Sequence, residues 1–259
     1  MTHNGTPDLK YLTLSLKEKN LNGDENKWFK SKDVLITELE KTFKSQNYST
    51  IIWSDGNRDS DNFHFATGFS VDIDNGLTIS EAETRLKEKN LCYWLIPSRN
   101  HSSALHKFHI IIPFNYKIYS LHAYKRIAEN IANDIFPECD YSVKDGARFM
   151  FGSPRDKDFI DHSDGNNYDV TKTGGVWDDS LQLVDKDGNE ITPDEVEGKL
   201  QIFCPFHEDN TASAFMDYSE NSENWFIRCS ACSTTFWKEE IKTWCVKYSD
   251  RFWSLGKDV

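Results

Sequence analysis

The pattern of apolar and polar positions predicts a regular series of helices and strands between residues 27 and 154. Apolar residues recur at helical spacing in three segments, with short β-branched or aromatic runs between them. The predicted helices cover residues 27–47, 80–90 and 118–135, and the predicted strands cover residues 50–53, 65–73, 91–96, 107–114 and 147–151. Ser31 is suited to cap the first helix, and either Thr78 or Ser80 the second.

From residue 65 onward the order of elements is β-α-β-β-α-β. This order is typical of a split βαβ sheet of the ferredoxin-like or RNA-recognition type, with the helices packed on one face. The fold class predicted for this part of the chain is therefore α+β.

The periodic pattern weakens after Arg155, which predicts a domain boundary. Residues 161–175 are rich in Asp, Asn, Gly and Thr. We expect a first domain over residues 1–155, an acidic connector over 156–199 and a small module over 200–259 that ends in a helix from Lys238 to Phe252. Residues 176–192 fit either a hairpin that turns at Asp187–Gly188 or a solvated connector.

The charge of the chain limits the kinds of partner it can bind. The 259 residues carry a net charge of -12, which argues against a protein that coats nucleic acid through bulk positive charge. The acidic residues are concentrated between Trp177 and Gly198, where Lys186 is the single basic residue, so the charge elsewhere is more balanced.

Neither a membrane span nor a secretory signal is predicted. The longest apolar run, around Ile110–Ile112, is far shorter than the roughly 20 residues of a membrane helix. The N-terminus lacks a basic segment followed by an apolar one, so a cytoplasmic location is expected. Cys92, Cys139 and Cys245 are expected as buried thiols.

Asp72 and Asp74 are the first candidate site residues. They lie two positions apart at a predicted strand end, so their side chains leave the same face and can share a divalent ion. Two adjacent carboxylates repel each other unless a cation neutralises them. The alternative is an acid pair that only forms the turn at Asn75–Gly76.

Lys107 and His109 share one face of the next apolar strand, and Asp140 and Arg148 follow further on. Each has an ordinary structural explanation. A lone histidine on a strand is more often a hydrogen-bonding core residue, Asp140 could cap a turn, and Arg148 could form a surface ion pair.

Taken in order, these residues resemble the motifs of the archaeo-eukaryotic primase superfamily: a D-x-D/E pair, an S-x-H motif, and an acid between apolar residues followed by arginine. The phrases SVDIDN, PSRNHSSALHKFHIIIPF and DYSVKDGARFMFGSP look like the primase-polymerases of plasmids, phages and other mobile elements. The resemblance covers residues 65–154. One departure is that Lys107 stands where the motif has serine.

The resemblance implies metal-binding and phosphate-binding roles for these residues. Asp72, Asp74 and Asp140 would hold two Mg²⁺ or Mn²⁺ ions for nucleotidyl transfer, with Asp145 as the rival third acid. The expected phosphate-binding residues are His109, Arg148 and Lys107, followed by Ser98 and Arg99 as weaker candidates. On this basis residues 1–155 form a primase-polymerase domain with His109 in its catalytic centre.

A separate motif predicts a structural zinc site. Cys204 and His207 form a C-x2-H pair, and Cys229 and Cys232 form a C-x2-C pair 21 residues later. Four such ligands complete a closed tetrahedral site. The pattern CPFH…CSAC resembles the zinc ribbon of bacterial-type primases. The nearby aromatic residues either stack on single-stranded bases or build the ribbon core, and they are Trp225, Phe226, Phe236 and Trp237.

The leading hypothesis is therefore an enzyme that synthesises primers on single-stranded DNA from nucleoside triphosphates, with a replicative helicase as a further candidate partner. The alternative is a catalytically inert replication protein that binds single-stranded DNA. A rolling-circle nickase is disfavoured because His106 and His109 have the wrong gap for its two-histidine motif. A zinc-ribbon transcription factor leaves the region before Pro154 unexplained.

Overall fold

The computed structural model describes most of the chain in two compact units. The described residues are 11–19, 26–74, 76–139, 145–170, 177, 181–206, 209–221, 223–231, 234–238 and 246–247. The first unit extends to Tyr168, and the second covers Asp169–Lys242. In the described part of the chain, no helix is long and apolar enough to cross a membrane.

A five-stranded antiparallel sheet forms the centre of the first unit. Its strands are β4 (Ile51–Trp53), β5 (Phe63–Ile73), β6 (Tyr93–Pro97), β7 (Phe108–Ile118) and β8 (Ile160–His162). The order across the sheet is β4-β5-β7-β6-β8. Because β7 lies between β5 and β6, and the helix α2 (Ile79–Glu88) connects those two strands, the predicted split βαβ arrangement is confirmed.

Two amphipathic helices accompany this sheet, as the periodicity predicted. Thr78 begins α2 with a capping box, in which its hydroxyl accepts from the Glu81 backbone N–H at 3.2 Å and Glu81 accepts from the Thr78 backbone at 2.8 Å. The second helix, α3 (Leu121–Ile135), begins at the Ser120 cap and packs against β5 and β7.

A second sheet covers the other side of the central strands. It consists of β1 (Tyr11–Glu18) paired with β2 (Lys30–Leu35), β3 (Gln46–Ser49) and β15 (Val246–Lys247), and the short helix α1 (Leu39–Ser45) precedes β3. One apolar cluster joins this sheet to the central one, including Leu14 of β1 and Trp94 of β6. The central strands β6 and β7 are thus buried on both faces, which explains their nearly continuous apolar sequence.

Two sequence predictions are wrong in this unit. Residues 27–47 form β2, a 3₁₀ turn, α1 and the start of β3 instead of one helix, and Ser31 lies inside β2 instead of capping a helix. The apolar spacing of this segment suggested a helix. Because β2 exposes most of its residues, its sequence does not alternate between apolar and polar positions as that of a half-buried strand does. Residues 147–151 contribute only an isolated bridge from Met150 to Tyr48, and β4 and β8 take the outer positions of the sheet.

The second unit is built on a four-stranded antiparallel sheet. Its strands are β11 (Leu200–Ile202), β12 (Ala214–Ser219), β13 (Asn224–Cys229) and β14 (Thr234–Trp237). A small hairpin, β9 (Leu183–Val184) and β10 (Glu190–Ile191), precedes it and turns through Gly188 with φ +88°. Trp177 is buried in the core and donates from Nε1 to the Phe236 carbonyl at 3.0 Å. The predicted helix over residues 238–252 lies largely outside the described residues, although Val246–Lys247 form a strand.

The Thr78 cap provides a test of this local structure. We expect Thr78→Ala to lower the free energy of unfolding by about 1 kcal/mol, because the first turn of α2 loses its side-chain acceptor. Thr84→Ala is the matched control, since Thr84 lies within the same helix and bonds only to the Ser80 carbonyl one turn back. Urea unfolding followed by circular dichroism measures both, and equal losses would contradict the assignment of the cap.

Candidate functional site

The pairing of β5 with β7 brings four predicted site residues together at one end of the central sheet. Asp72 lies directly opposite His109, and His109 Nε2 is 3.5 Å from Asp72 Oδ1. Just beyond the strand ends, Lys107 Nζ is 2.7 Å from Asp74 Oδ1. Adjacent strands therefore present two acid–base pairs side by side.

The two aspartates form a partly desolvated carboxylate pair. The Asp72 side chain is 30% exposed and that of Asp74 is 61% exposed. Burial raises the pKa of Asp72, the charge of Asp74 raises it further, and the charges of Arg148 and Lys107 oppose the rise. Burial and the neighbouring acid thus make the charge of Asp72 less favourable, a bound cation would offset this, and carboxylate oxygens are the ligands that Mg²⁺ and Mn²⁺ prefer.

His109 is held as a neutral imidazole. It is 5% exposed, and burial together with repulsion from Arg148 lowers its pKa to about 4, although Asp74 acts in the opposite direction. Its Nδ1 lies 3.0 Å from the Tyr48 hydroxyl. Burial, and then the charge of Asp72, raises the pKa of Tyr48 well above its usual value, so this hydroxyl stays protonated.

The partners of the two ring nitrogens favour one histidine tautomer. The Asp72 carboxylate lies on the Nε2 side, so the tautomer that suits both partners carries its proton on Nε2 and accepts from the Tyr48 hydroxyl at Nδ1. That N–H is the one directed toward Asp72. Sequence patterns do not indicate Tyr48, because it lies 61 residues from His109 and just after the segment 27–47 that is predicted to be helical.

Arg148 is positioned through the backbone of its segment. The Ser49 hydroxyl donates to the Arg148 carbonyl at 2.6 Å, and Tyr48 and Met150 exchange two backbone hydrogen bonds of 3.0 and 2.7 Å. Strand β3 therefore aligns both Tyr48 and the Arg148 segment. The charge of Arg148 influences the pKa of Asp72 and of His109, so it belongs to the same electrostatic site.

The other predicted residues of the first unit are placed less centrally. Asp140 lies outside the described residues. Asp145 accepts from the Ala147 backbone at 3.0 Å and from the Ser60 hydroxyl at 3.2 Å, as a turn-forming acid does. Ser98 donates its backbone N–H to the Lys107 carbonyl at 2.9 Å, and Arg99 is exposed in the turn that follows.

Cys204 and Cys229 lie together in the core of the second unit. Asp209 Oδ2 accepts from the Cys204 backbone at 2.9 Å and from the Ser213 hydroxyl at 2.7 Å, and that hydroxyl is 3.3 Å from Cys229 Sγ. Desolvation raises the pKa of Asp209, but these hydrogen bonds outweigh it and hold the pKa at about 2. An ionised carboxylate thus orders both cysteine segments.

The two buried cysteines are suited to supply two of the four ligands of a structural zinc site. Buried sulfur donors held by an outer layer of hydrogen bonds are what such a site requires. The other two predicted ligands, His207 and Cys232, lie outside the described residues. Within the described ranges, no three His, Cys, Asp or Glu side chains form a cluster suited to a metal.

The aromatic residues of the second unit divide between the two faces of its sheet. Phe236 is buried and Trp225 packs against the core, so these two are structural. Phe226 and Trp237 are paired across β13 and β14 on the opposite face, with ring centroids 5.2 Å apart. Phe215 lies beside Phe226 at 5.9 Å.

Basic residues accompany these rings. Lys199 Nζ lies 4.0 Å from the centre of the Phe215 ring, and Arg228, paired with Phe215 in the register, is exposed on the same face. Partly exposed rings interleaved with cations are the composition that single-stranded nucleic acid favours.

Comparison with known proteins gives one structural similarity. No protein-family model matches the chain, and no curated protein matches it. Among solved structures, the chain is similar to the AEP domain of the primase-polymerase (PrimPol) of cyanophage S-2L, with 11% sequence identity and a TM-score of 0.36. The match covers 64% of this chain and 87% of that one.

The contact between Tyr48 and His109 can be tested by removing one hydroxyl. We expect Tyr48→Phe to lower the free energy of unfolding by about 1–3 kcal/mol, because the buried Nδ1 of His109 loses its donor. The matched control is Tyr124→Phe. The Tyr124 hydroxyl is equally buried but has no hydrogen-bond partner among the described residues, so its removal is expected to cost little. Chemical denaturation of both variants gives the comparison, and a smaller loss for Tyr48→Phe would contradict the hydrogen bond.

Proposed function

We propose that the protein is a primase-polymerase that joins nucleotides on a single-stranded DNA template. The observation that carries the proposal is the register of β5 and β7, which sets the acids Asp72 and Asp74 beside His109 and Lys107. Such a site suits the transfer of a nucleotidyl group from a triphosphate. The acidic pair would bind divalent cations, and the adjacent basic and neutral donors would contact the phosphate groups.

In this proposal, Asp72 and Asp74 bind divalent ions, with Asp140 as the third acid and Asp145 as its rival. Bound Mg²⁺ or Mn²⁺ would activate the attacking 3′-hydroxyl and stabilise the leaving pyrophosphate. The residues proposed to contact the triphosphate are His109, Lys107 and Arg148, with Ser98 and Arg99 as outer contributors. A neutral His109 donates a hydrogen bond to a phosphate oxygen without adding charge, while Lys107 and Arg148 supply positive charge.

The second unit would contribute template binding. We infer that Cys204, His207, Cys229 and Cys232 hold a structural zinc ion, because both described cysteines are buried and share the Asp209 and Ser213 network. The face that carries Phe226, Trp237 and Arg228 is then available for stacking on unpaired bases.

A second function is favoured by one observation, the ion pair between Lys107 and Asp74. Where the superfamily motif has serine, a lysine here neutralises one of the two acids. If that ion pair persisted in the presence of metal, the protein would bind single-stranded DNA without polymerising, as an inert replication protein.

Primer synthesis on an unprimed template distinguishes these functions. With labelled nucleoside or deoxynucleoside triphosphates and Mg²⁺ or Mn²⁺, we expect products from the wild-type chain. Asp72→Asn and Asp74→Asn should each reduce them by more than about 100-fold, since even outer-shell partners of metals are worth roughly 10- to 100-fold. Asp187→Asn, in an exposed turn of the second unit, should leave synthesis unchanged.

Thermal unfolding without added metal separates chemistry from folding. Because burial and Asp74 disfavour the ionised form of Asp72, Asp72→Asn should not lower the unfolding temperature. Absence of product from the wild-type chain under all four conditions, with DNA binding intact, would overturn the enzyme assignment and support the inert protein.

Zinc content tests the second unit. The purified chain is expected to contain one zinc ion, and Cys204→Ala and Cys229→Ala should each lose most of it, because a structural site needs all four ligands. Cys92→Ala is the control, since Cys92 is buried in the first unit. Elemental analysis by mass spectrometry gives the ratio, and zinc retained in both ligand variants would contradict the site.

A further inference from the structure

A basic cavity lies in the first unit beside the C-terminal end of α1. It has a volume of about 420 Å³ and is lined by Glu18, Lys19, Lys44, Ser45 and Arg155. None of the roles described so far uses these residues. Three of the five are cations, in a chain whose net charge is -12.

Lys19 is held in place by the surrounding backbone. Its Nζ donates to the Lys44 carbonyl at 2.7 Å and to the Ser153 carbonyl at 2.6 Å, which occupies two of its three N–H groups. Gly152 makes room for it, because a Cβ at that position would lie 2.1 Å from Lys19 Cε and 2.3 Å from the Gln46 carbonyl oxygen. The loop that follows Gly152 then brings Arg155 to the cavity.

The hydrogen bond to the Lys44 carbonyl caps the end of α1, and this explains the position of Lys19. It does not explain why further cations gather around it. The pKa of Lys19 is lowered by burial and then by the charges of Arg99 and Arg155, so the three cations repel one another. Lys44 is ion-paired with Glu40 at 2.7 Å, but neither Arg99 nor Arg155 forms an ion pair with any described residue.

The acids nearby form no ion pair with Lys19 or Arg155 among the described residues. Glu18 lines the cavity, Asp156 and Asp158 lie next to Arg155 in sequence, and all three are exposed. Repulsion among fixed cations is relieved by a bound anion, and guanidinium and ammonium groups converging on one cavity are the donors that phosphate groups select.

We propose that Lys19, Lys44 and Arg155 form a second phosphate-binding site, separate from Lys107, His109 and Arg148, that takes the phosphate groups of a nucleotide or of a nucleic-acid strand. Strand β3 lies beside both sites. Gln46, whose carbonyl lies against Gly152, is two residues from Tyr48, which contacts His109. That step along the chain is about 7 Å in an extended β-strand.

The test measures binding and needs no turnover, so it stands or falls independently of the proposed enzyme activity. The full chain is titrated into fluorescein-labelled (dT)20 at several salt concentrations without added Mg²⁺ or Mn²⁺, and into dATP by calorimetry. The variant is Arg155→Gln, which removes one cation of the cavity. Lys125→Gln, an exposed lysine on α3, is the matched control for loss of one positive charge.

If the cavity holds a nucleic-acid strand, Arg155→Gln binds (dT)20 with a shallower salt dependence. Each lost phosphate contact makes the slope of log K against log [salt] shallower by about 0.7. Between 1 M and 0.1 M salt, the affinity of the variant therefore gains roughly fivefold less than that of the wild-type chain. Weaker binding of dATP with unchanged (dT)20 binding would instead identify a free triphosphate as the ligand.

Binding of both probes by Arg155→Gln at the level of Lys125→Gln would overturn the proposal. A folding defect is excluded by thermal unfolding, because Arg155 has no ion pair to lose among the described residues and its removal eases the repulsion on Lys19. Arg155→Gln should therefore melt at the wild-type temperature or above it.

Discussion

The antiparallel register between β5 and β7 is the constraint on which the candidate site depends. Side chains alternate between the faces of a sheet, so a shift of one residue would carry Asp72 to the helical face and separate it from His109. The register is secured by burial of both faces of these strands, between α3 on one side and the β1–β3 sheet on the other. The energy of the apolar core therefore maintains the alignment of a polar site.

That alignment has an electrostatic cost which the structure partly offsets. Burial favours the neutral forms of both Asp72 and His109. The charges of Arg148 and Lys107 oppose this effect at Asp72 by lowering its pKa. Tyr48 supplies the hydrogen bond that a buried imidazole nitrogen requires. Because Tyr48 belongs to β3 and His109 to β7, the site lies where the two sheets of the first unit meet.

Much of the central sheet could be predicted because its signals are local. The Thr78 capping box and the apolar stripe of α3 identify both long helices, and the spacing of Asp72, Asp74 and His109 on predicted strands anticipates their meeting on adjacent strands. The β1–β3 sheet could not be predicted in this way. Its pairings of β1 with β3 and of β1 with β15 join strands that are distant in sequence, and polar β2 has no alternation to detect.

The contacts that complete the site are non-local, and for that reason they escaped sequence reasoning. Nothing near Tyr48 in sequence indicates that it meets His109, and Lys19 shows no motif that links it to Arg155. Tyr48 belongs to β3, which begins at the end of the segment where helical spacing was misleading, and Lys19 bonds to the Lys44 carbonyl of α1 in that segment. An error about one segment therefore concealed two groups of polar residues.

The ion pair between Lys107 and Asp74 has a consequence for the order of binding events. Lys107 engages one of the two Asp74 oxygens, so under the proposed function a divalent ion held through that oxygen would compete with the ammonium group. A lysine freed in this way would lie beside the proposed triphosphate site. Metal binding by the acids and the supply of a cation for the substrate would then be coupled.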